Sequence, residues 1–254
     1  MLYCRFENAG SAAWGIVEDH QVVEITPDIF SSFERTGRSF AMDEVRFLAP
    51  CQPSKIIAVG LNYKDHIKEF GRTEIPQEPV LFLKAPSALI GPDEKIVITK
   101  EAGRVDYEAE LAVVIGKKGK NIPEGHAMEY ALGITCLNDV TARELQKKDA
   151  QWARAKSFDT FAPVGPWIAD GLPTQNLRLE ARVNQKVVQT GHTRDMIFPV
   201  PMLISYISKF MTLFPGDIIS TGTPQGVGPL KGGDVVEIFV EGVGILRNSV
   251  VEAS

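Results

Sequence analysis

Acidic residues alternate with other residues in the segment Asp106-Tyr-Glu108-Ala-Glu110, and an apolar run from Leu111 to Ile115 follows directly. The run is nonpolar at every position, which predicts a strand buried on both faces. Because side chains alternate across a strand, the three acids should project from one side of it. Carboxylates in such a row repel one another, so the pattern predicts positive charge among their oxygens unless the acids lie on the wet face of an antiparallel sheet.

A further carboxylate, Asp139, ends the small apolar run Gly133-Ile-Thr-Cys-Leu-Asn. A carboxylate at the end of a core strand requires a partner, and this favours an interior position for the acids over a solvated one. Oxygen-only ligands are typical of sites for Mg²⁺, Mn²⁺ or Ca²⁺ and not of zinc sites. We therefore predict that Glu108, Glu110 and Asp139 hold one hard divalent cation.

Composition and charge exclude several classes of protein. The 254 residues are 44% hydrophobic, enough for one large domain or for a main domain with a small appendage. The formal net charge is −5 and the 27 basic residues are scattered, so nucleic acid is not an expected partner. Apolar runs fall far short of the roughly 20 residues that span a bilayer, and the first residues lack a signal-peptide pattern. Three separated cysteines predict no disulfide framework, and we expect a cytoplasmic protein without a membrane partner.

Strands outnumber helices in the pattern of the whole chain. Residues 1–53 alternate short β-like pieces with turn residues and are predicted to form a small N-terminal β-rich lobe, followed by a main domain over residues 54–254. The sequence therefore predicts an α+β fold dominated by strands. Helices are predicted at 62–70, 141–147 and 201–210, and strands at 2–6, 14–17, 22–25, 55–60, 80–84, 96–98, 107–115, 131–138, 179–183, 186–190, 218–221, 235–240 and 244–251.

Turn signals occur at three further places. Asn184-Gln185 lies between two β-like runs and predicts a hairpin, and Pro215-Gly216-Asp217 predicts a tight turn. The glycine-rich segment 221–228 lacks the spacing, the Gly-Lys-Ser/Thr sequence and the following helix of a phosphate-binding loop. We therefore do not expect a nucleotide ligand.

His66 and Glu69 are three residues apart in the predicted helix after the strand at 55–60. Residues at this spacing share one face of a helix, and a carboxylate beside an imidazole fixes its tautomer and raises its basicity. Such a pair can activate water. An ordinary solvent-facing pair has the same spacing, and the pair alone does not decide between these interpretations.

Seven motifs occur in an order that resembles the fumarylacetoacetate hydrolase family over about residues 54–252. The resemblance implies a mixed β-sandwich roll, a homodimer, and Mg²⁺ or Mn²⁺ held by Glu108, Glu110 and Asp139, with Ca²⁺ as a possible substitute. The motifs are Gly60-Leu-Asn-Tyr-Lys-Asp-His66-Ile-Lys-Glu69, Pro79-Val-Leu-Phe-Leu-Lys84, Val105-Asp-Tyr-Glu108-Ala-Glu110-Leu, Asn138-Asp139-Val-Thr-Ala-Arg143-Glu-Leu-Gln146, Lys156-Ser-Phe-Asp159-Thr-Phe-Ala-Pro-Val-Gly-Pro166, Asp195-Met-Ile-Phe198 and Thr221-Gly-Thr-Pro224.

The same resemblance implies roles for other residues. His66, Glu69 and Lys156 would be catalytic, with Lys156 supplying positive charge to an enolate or to a substrate carboxylate. The segment around His66 resembles a mobile lid of the family. Arg143, Gln146, Thr223 and Tyr63 would bind substrate.

Three carboxylate ligands leave half of an octahedron open, so a small dicarboxylic 2-oxo acid can chelate the ion, which acts as a Lewis acid. The first expectation is hydrolysis of a C–C bond in an acylpyruvate such as fumarylpyruvate, with an enolate as the leaving group. Decarboxylation of oxaloacetate and isomerisation of a hydroxymuconate-type acid require the same chelate and stay open. A metal-binding or ligand-binding module without catalysis is the alternative from another class.

Overall fold

The computed structural model describes residues 1–69, 71 and 74–253. Its α-helices are α1 (Lys64–Glu69), α2 (Arg143–Lys148), α3 (Ala153–Lys156) and α4 (Val200–Ser208), and short 3₁₀ helices lie at Pro86–Ala88, Lys100–Ala102, Glu124–Tyr130 and Thr193–Asp195. The strands are β1 (Leu2–Asn8), β2 (Ser11–Glu18), β3 (Gln21–Thr26), β4 (Glu34–Ala41), β5 (Arg46–Leu48), β6 (Ile56–Gly60), β7 (Val80–Lys84), β8 (Leu89–Ile90), β9 (Lys95–Ile98), β10 (Val105–Tyr107), β11 (Ala109–Ile115), β12 (Ala131–Asn138), β13 (Thr141–Ala142), β14 (Ala162–Ala169), β15 (Arg178–Val183), β16 (Lys186–His192), β17 (Ile218–Ser220), β18 (Gly228–Leu230), β19 (Val235–Val240) and β20 (Gly244–Glu252).

Three sheets, two of them with both parallel and antiparallel strand pairs, confirm the predicted β-dominated α+β fold. The largest has the order β4-β3-β2-β1-β14-β12-β11-β17-β6-β7, and β5 and β8 pair with β1 and β14 at its side. A second sheet has the order β16-β15-β19-β20-β9, and β13, β10 and β18 form a third. Strand β1 pairs antiparallel with β14 through Leu2–Ala169 and Tyr3–Ile168, so backbone hydrogen bonds join the N-terminal strands to the large sheet.

Strand β11 lies at the centre of the large sheet and is buried at every position, as its apolar sequence predicts. Leu111 and Val113 belong to the core between the large and second sheets, whereas Ala112 and Val114 belong to the core on the opposite face. Both faces of the strand are therefore covered by protein. A site at the first residues of β11 is built on a rigid central element.

The predicted strand over residues 107–115 is wrong at its beginning, because the chain changes sheets at Glu108. Asp106 belongs to β10 of the small sheet and pairs with Thr141 and Pro229, whereas β11 begins at Ala109. The amide of Glu108 donates to the side-chain oxygen of Asn138 at 3.0 Å instead of to a neighbouring strand. Asp106 is consequently not part of one straight row with Glu108 and Glu110.

The predicted hairpin and turn are present. Asn184 and Gln185 connect β15 to β16, and both have positive φ, 51° and 67°, as two-residue hairpin turns require. The amide of Asp217 donates to the carbonyl of Phe214 at 3.0 Å, with Gly216 at φ 87°. The three predicted helices correspond to α1, α2 and α4 with shifted ends, and position 70 of the first lies outside the described residues. Among the described helices, none is long and apolar enough to cross a bilayer.

Candidate metal and catalytic site

Glu108, Glu110 and Asp139 meet where β11 begins and β12 ends. These residues are 4%, 2% and 1% exposed, and one potential ligand atom from each lies within 4.8 Å of the others. The amide of Asp139 donates to the carbonyl of Glu108 at 2.9 Å, which fixes the two acids relative to each other. The structure therefore brings together the three carboxylates that the sequence predicted as metal ligands.

Two cationic side chains contact Glu108 and Asp139. The ammonium of Lys156 lies 2.8 Å from Glu108 Oε2 and 2.5 Å from Asp139 Oδ2, and a guanidinium nitrogen of Arg143 lies 2.6 Å from Glu108 Oε1. Burial by itself raises the pKa of Glu108, but the charges of Lys156 and Arg143 outweigh burial and hold this pKa well below its ordinary value. Glu108 is therefore held ionised.

Glu110 has a different environment, because its hydrogen bonds come from neutral donors. Its Oε2 accepts from the hydroxyl of Ser220 at 2.5 Å and from the amide of Gly222 at 2.8 Å. Burial, together with the negative charges of Asp139 and Glu108, raises the pKa of Glu110 to about 8. A positive charge beside Glu110 would therefore stabilise its ionised form. Three buried carboxylates whose oxygens can contact one ion fit a divalent cation such as Mg²⁺ or Mn²⁺.

A cavity of about 390 Å³ opens onto the carboxylates. Phe82 and Trp152, whose rings are 5.3 Å apart and nearly perpendicular, give it an apolar wall. Most of the other lining residues are charged or polar. Of the residues predicted for the site, those lining the cavity are Glu108, Glu110, Asp139, His66, Lys156, Arg143, Gln146 and Thr223.

Glu69 contacts the cavity through His66 and is not part of its wall. Glu69 Oε2 lies 3.0 Å from His66 Nδ1, so the predicted pair is formed on α1. The other oxygen, Glu69 Oε1, accepts from the amide of Gly226 at 3.0 Å, which ties α1 to the glycine-rich segment 221–228. The His66 side chain is only 8% exposed. The pair is therefore held in the protein and is not an ordinary solvent-facing pair.

Arg143 and Gln146 lie together on α2. Arg143 Nε donates to Asp106 Oδ2 at 2.9 Å, and its Nη1 donates to Gln146 Oε1 at 2.6 Å. Since another of its nitrogens donates to Glu108, the guanidinium bridges the carboxylates and the cavity wall. The position suits the predicted role of Arg143 in binding a substrate, and it also lets Arg143 support the carboxylates.

The contacts of Thr223 and Tyr63 differ from those expected of side chains that bind substrate. The Thr223 hydroxyl donates to the carbonyl of Ala109 at 2.8 Å and accepts from Gln189 at 2.7 Å, so a contact with substrate falls to its backbone amide. Tyr63 is 2% exposed and does not line the catalytic cavity; it borders a separate groove beside α1. Its substrate-binding role stays a prediction without support from this geometry.

Sequence reasoning missed Lys84 as a residue of the site. Lys84 ends β7, is 1% exposed, and donates to Asp139 Oδ1 at 2.6 Å and to the carbonyl of Val140 at 3.3 Å. Burial lowers the pKa of Lys84, against the opposing charge of Asp139. A lysine at the end of a strand within a recognised motif was the available signal.

The sequence profile described as fumarylacetoacetate (FAA) hydrolase C-terminal matches residues 55–251, most of the chain. The chain belongs to this family. A second profile, described as Rv2993c-like, N-terminal, matches residues 1–50. The chain is an enzyme of the family, and the alternative of a binding module without catalysis is set aside.

Relatives within the family bear the names of different reactions. The human mitochondrial oxaloacetate tautomerase FAHD2A is 44% identical over 221 residues, covering 82% of this chain and 70% of the human protein. The structure of 5-carboxymethyl-2-hydroxymuconate delta-isomerase from Mycobacterium smegmatis superposes with a TM-score of 0.94 at 42% identity, covering 100% of both chains. The structure of fumarylacetoacetate hydrolase from Exiguobacterium antarcticum, at 36% identity and a TM-score of 0.88, also covers 100% of both chains.

Proposed function

We propose that this enzyme uses a divalent cation to bind a small dicarboxylic 2-oxo acid and catalyses proton transfer between its keto and enol forms. The observation that supports this reaction is the His66–Glu69 pair, which sets an oriented imidazole in the same cavity as the three carboxylates. Proton transfer at a carbon next to a carbonyl requires a positioned base and stabilisation of the enolate oxygen. Both requirements are met within one cavity.

Each side chain has a separate task in the proposed reaction. With Nδ1 of His66 hydrogen-bonded to Glu69, Nε2 is the atom that removes the proton from the substrate carbon and delivers it to the enolate oxygen, and the reverse transfer converts enol to keto form. Lys156 offers positive charge to the enolate oxygen, and Arg143 with Gln146 orients the distal carboxylate. When bound, the cation supplies Lewis acidity to the 2-oxo group. Phe82 and Trp152 exclude water from the reacting carbon.

Hydrolysis of an acylpyruvate, the first expectation from the sequence, is the second candidate. The same His66–Glu69 pair favours it, because an oriented imidazole also activates water for attack on the acyl carbonyl. We place tautomerisation or isomerisation first because the relatives with those names are 44% and 42% identical, against 36% for the fumarylacetoacetate hydrolase. Decarboxylation of oxaloacetate requires the chelate but no base.

Assays with purified protein and Mg²⁺ or Mn²⁺ distinguish these reactions. The disappearance of freshly dissolved enol-oxaloacetate is followed by its absorbance, and pyruvate is measured in parallel. Tautomerisation predicts faster enol loss without pyruvate; decarboxylation predicts pyruvate from oxaloacetate; hydrolysis predicts pyruvate from acetylpyruvate or fumarylpyruvate. If no substrate reacts faster than with metal alone or with chelator, the proposed function is wrong.

Other properties expected from the sequence or from the resemblance stay predictions. These are the homodimer, the cytoplasmic location and the choice between Mg²⁺, Mn²⁺ and Ca²⁺. Size-exclusion chromatography with light scattering measures the first, and calorimetric titration with each cation measures the last.

A further inference from the structure

Lys84 contacts the carboxylate cluster from behind the cavity. Its ammonium lies 2.6 Å from Asp139 Oδ1, while Lys156, which lines the cavity, lies 2.5 Å from Asp139 Oδ2. Lys84 does not line the cavity and is 1% exposed. Each carboxylate oxygen of Asp139 therefore contacts a lysine. Of the two lysines, Lys84 lies outside the lining of the cavity in which a substrate would bind.

The carboxylates and cations form one connected group in which charges balance. Four carboxylates face four cationic side chains, so the group is neutral when every member is ionised. Arg104 and Arg143 share Asp106, Arg143 and Lys156 share Glu108, and Lys156 and Lys84 share Asp139. The carboxylates are Asp106, Glu108, Glu110 and Asp139, and the cations are Lys84, Arg104, Arg143 and Lys156.

Because carboxylate ligands bind a cation in their ionised form, a divalent cation that entered alone would give the fully ionised group a net charge of +2. Lys84 and Lys156 would repel it at short range, and a buried site screens such repulsion only weakly. A dianionic ligand that enters with the cation restores neutrality. The balance of charge therefore favours binding of the cation together with a dianionic ligand over binding of the cation alone.

We propose that Lys84 makes binding of the divalent cation depend on simultaneous binding of a dianionic ligand. The proposal rests on the proposed function, because that function supplies the dianion as a 2-oxo dicarboxylic acid. Linkage requires that each partner raises the affinity for the other by the same factor. The charge of Lys84 weakens cation binding in the absence of the acid, and this prevents the enzyme from binding the metal tightly without substrate.

Direct binding measurements test this role without an activity assay. The dissociation constant of Mn²⁺ is measured by calorimetry and by electron paramagnetic resonance, alone and with saturating oxalate, after allowance for the manganese–oxalate complex in solution. We expect oxalate to tighten Mn²⁺ binding to the wild type by about tenfold or more. The monoanion lactate should have a smaller effect.

The variants Lys84→Met and Lys84→Gln remove the charge, and Gln keeps a hydrogen-bond donor near Asp139 if Met prevents folding. We expect either to bind Mn²⁺ alone about tenfold more tightly than the wild type and to show a smaller tightening by oxalate, because the direct contact between oxalate and Mn²⁺ remains. Lys55→Met is the matched control, since Lys55 pairs with Asp217, a buried acid outside the cavity. It should leave both constants unchanged.

Two results would overturn the proposal. One is a wild-type Mn²⁺ affinity that oxalate does not change; the other is a folded Lys84 variant with the wild-type constants. Absence of Mn²⁺ binding under every condition would instead reject the proposed function itself, so the two failures are distinguishable.

Discussion

The ammonium of Lys156 lies 2.5 Å from Oδ2 of Asp139, and both side chains are almost completely buried. Lys156 also contacts Glu108, so one cation holds two of the three expected metal ligands at a fixed separation. Two buried carboxylates this close would otherwise repel each other. The lysine therefore organises the site in the metal-free protein, and in the proposed reaction it also offers charge to substrate.

Lys156→Met should destabilise the metal-free protein by about 3–5 kcal/mol, because it leaves two buried carboxylates without their shared partner. Mg²⁺ or Mn²⁺ should restore part of that stability, so the thermal shift on adding metal should be larger in the variant than in the wild type. Differential scanning calorimetry with chelator and with metal measures both effects. The exposed pair Lys68–Asp65 provides a control, since Lys68→Met should change stability little.

The metal-free protein should lose stability as pH rises from about 5 through 8. Glu110 has a pKa of about 8 in the folded chain against 4.5 for an unperturbed glutamate, so folding favours its protonated form. A raised folded pKa contributes stability at low pH, and that contribution is lost as pH passes the folded pKa. The melting temperature in chelator should therefore fall more steeply with pH in the wild type than in Glu110→Gln. Equal slopes in the two proteins would contradict this prediction.

Local sequence patterns predicted the parts of the structure that depend on neighbouring residues. The apolar run after Glu110 predicted a central buried strand, and the acids at its start predicted the cluster with Asp139. The turn at Asn184-Gln185 was equally visible because its residues tolerate positive φ. These features need no knowledge of distant partners.

The features that escaped prediction depend on contacts between distant residues. The break at Glu108 follows from a hydrogen bond to Asn138, 30 residues away, and the role of Lys84 from an ion pair with Asp139, 55 residues away.

Two strands escaped prediction because of their own composition. Strand β14 contains Pro163 and Pro166, which argue against a strand when only the sequence is considered. Strand β4 is mostly exposed and polar, so it lacks an apolar pattern.

Asp217, directly before β17 and outside the cavity lining, should be a major structural residue. Its buried carboxylate accepts hydrogen bonds from the amides of Ser54, Lys55 and Phe214, and it pairs with the ammonium of Lys55. Asp217→Ala leaves these donors without a partner, and we expect a loss of about 3–5 kcal/mol in unfolding free energy by urea denaturation. Asp93→Ala removes an exposed pair with Arg247 and should have little effect.

Glu69→Gln should separate proton transfer from binding. The amide keeps a hydrogen bond to His66 or Gly226 but carries no charge, so the imidazole becomes a weaker base. We expect kcat for tautomerisation or hydrolysis to fall by about 10² or more, with a smaller change in KM. His66→Ala combined with Glu69→Ala should abolish these reactions yet spare any decarboxylation of oxaloacetate, because loss of carbon dioxide needs the chelate and no base.

The control is calorimetric binding of Mn²⁺ with oxalate to Glu69→Gln. This binding should be unchanged, and that result would show that the site is intact. A variant that retains wild-type kcat for proton transfer would exclude the His66–Glu69 pair as the base and make Lys156 the next candidate to test in the cavity wall.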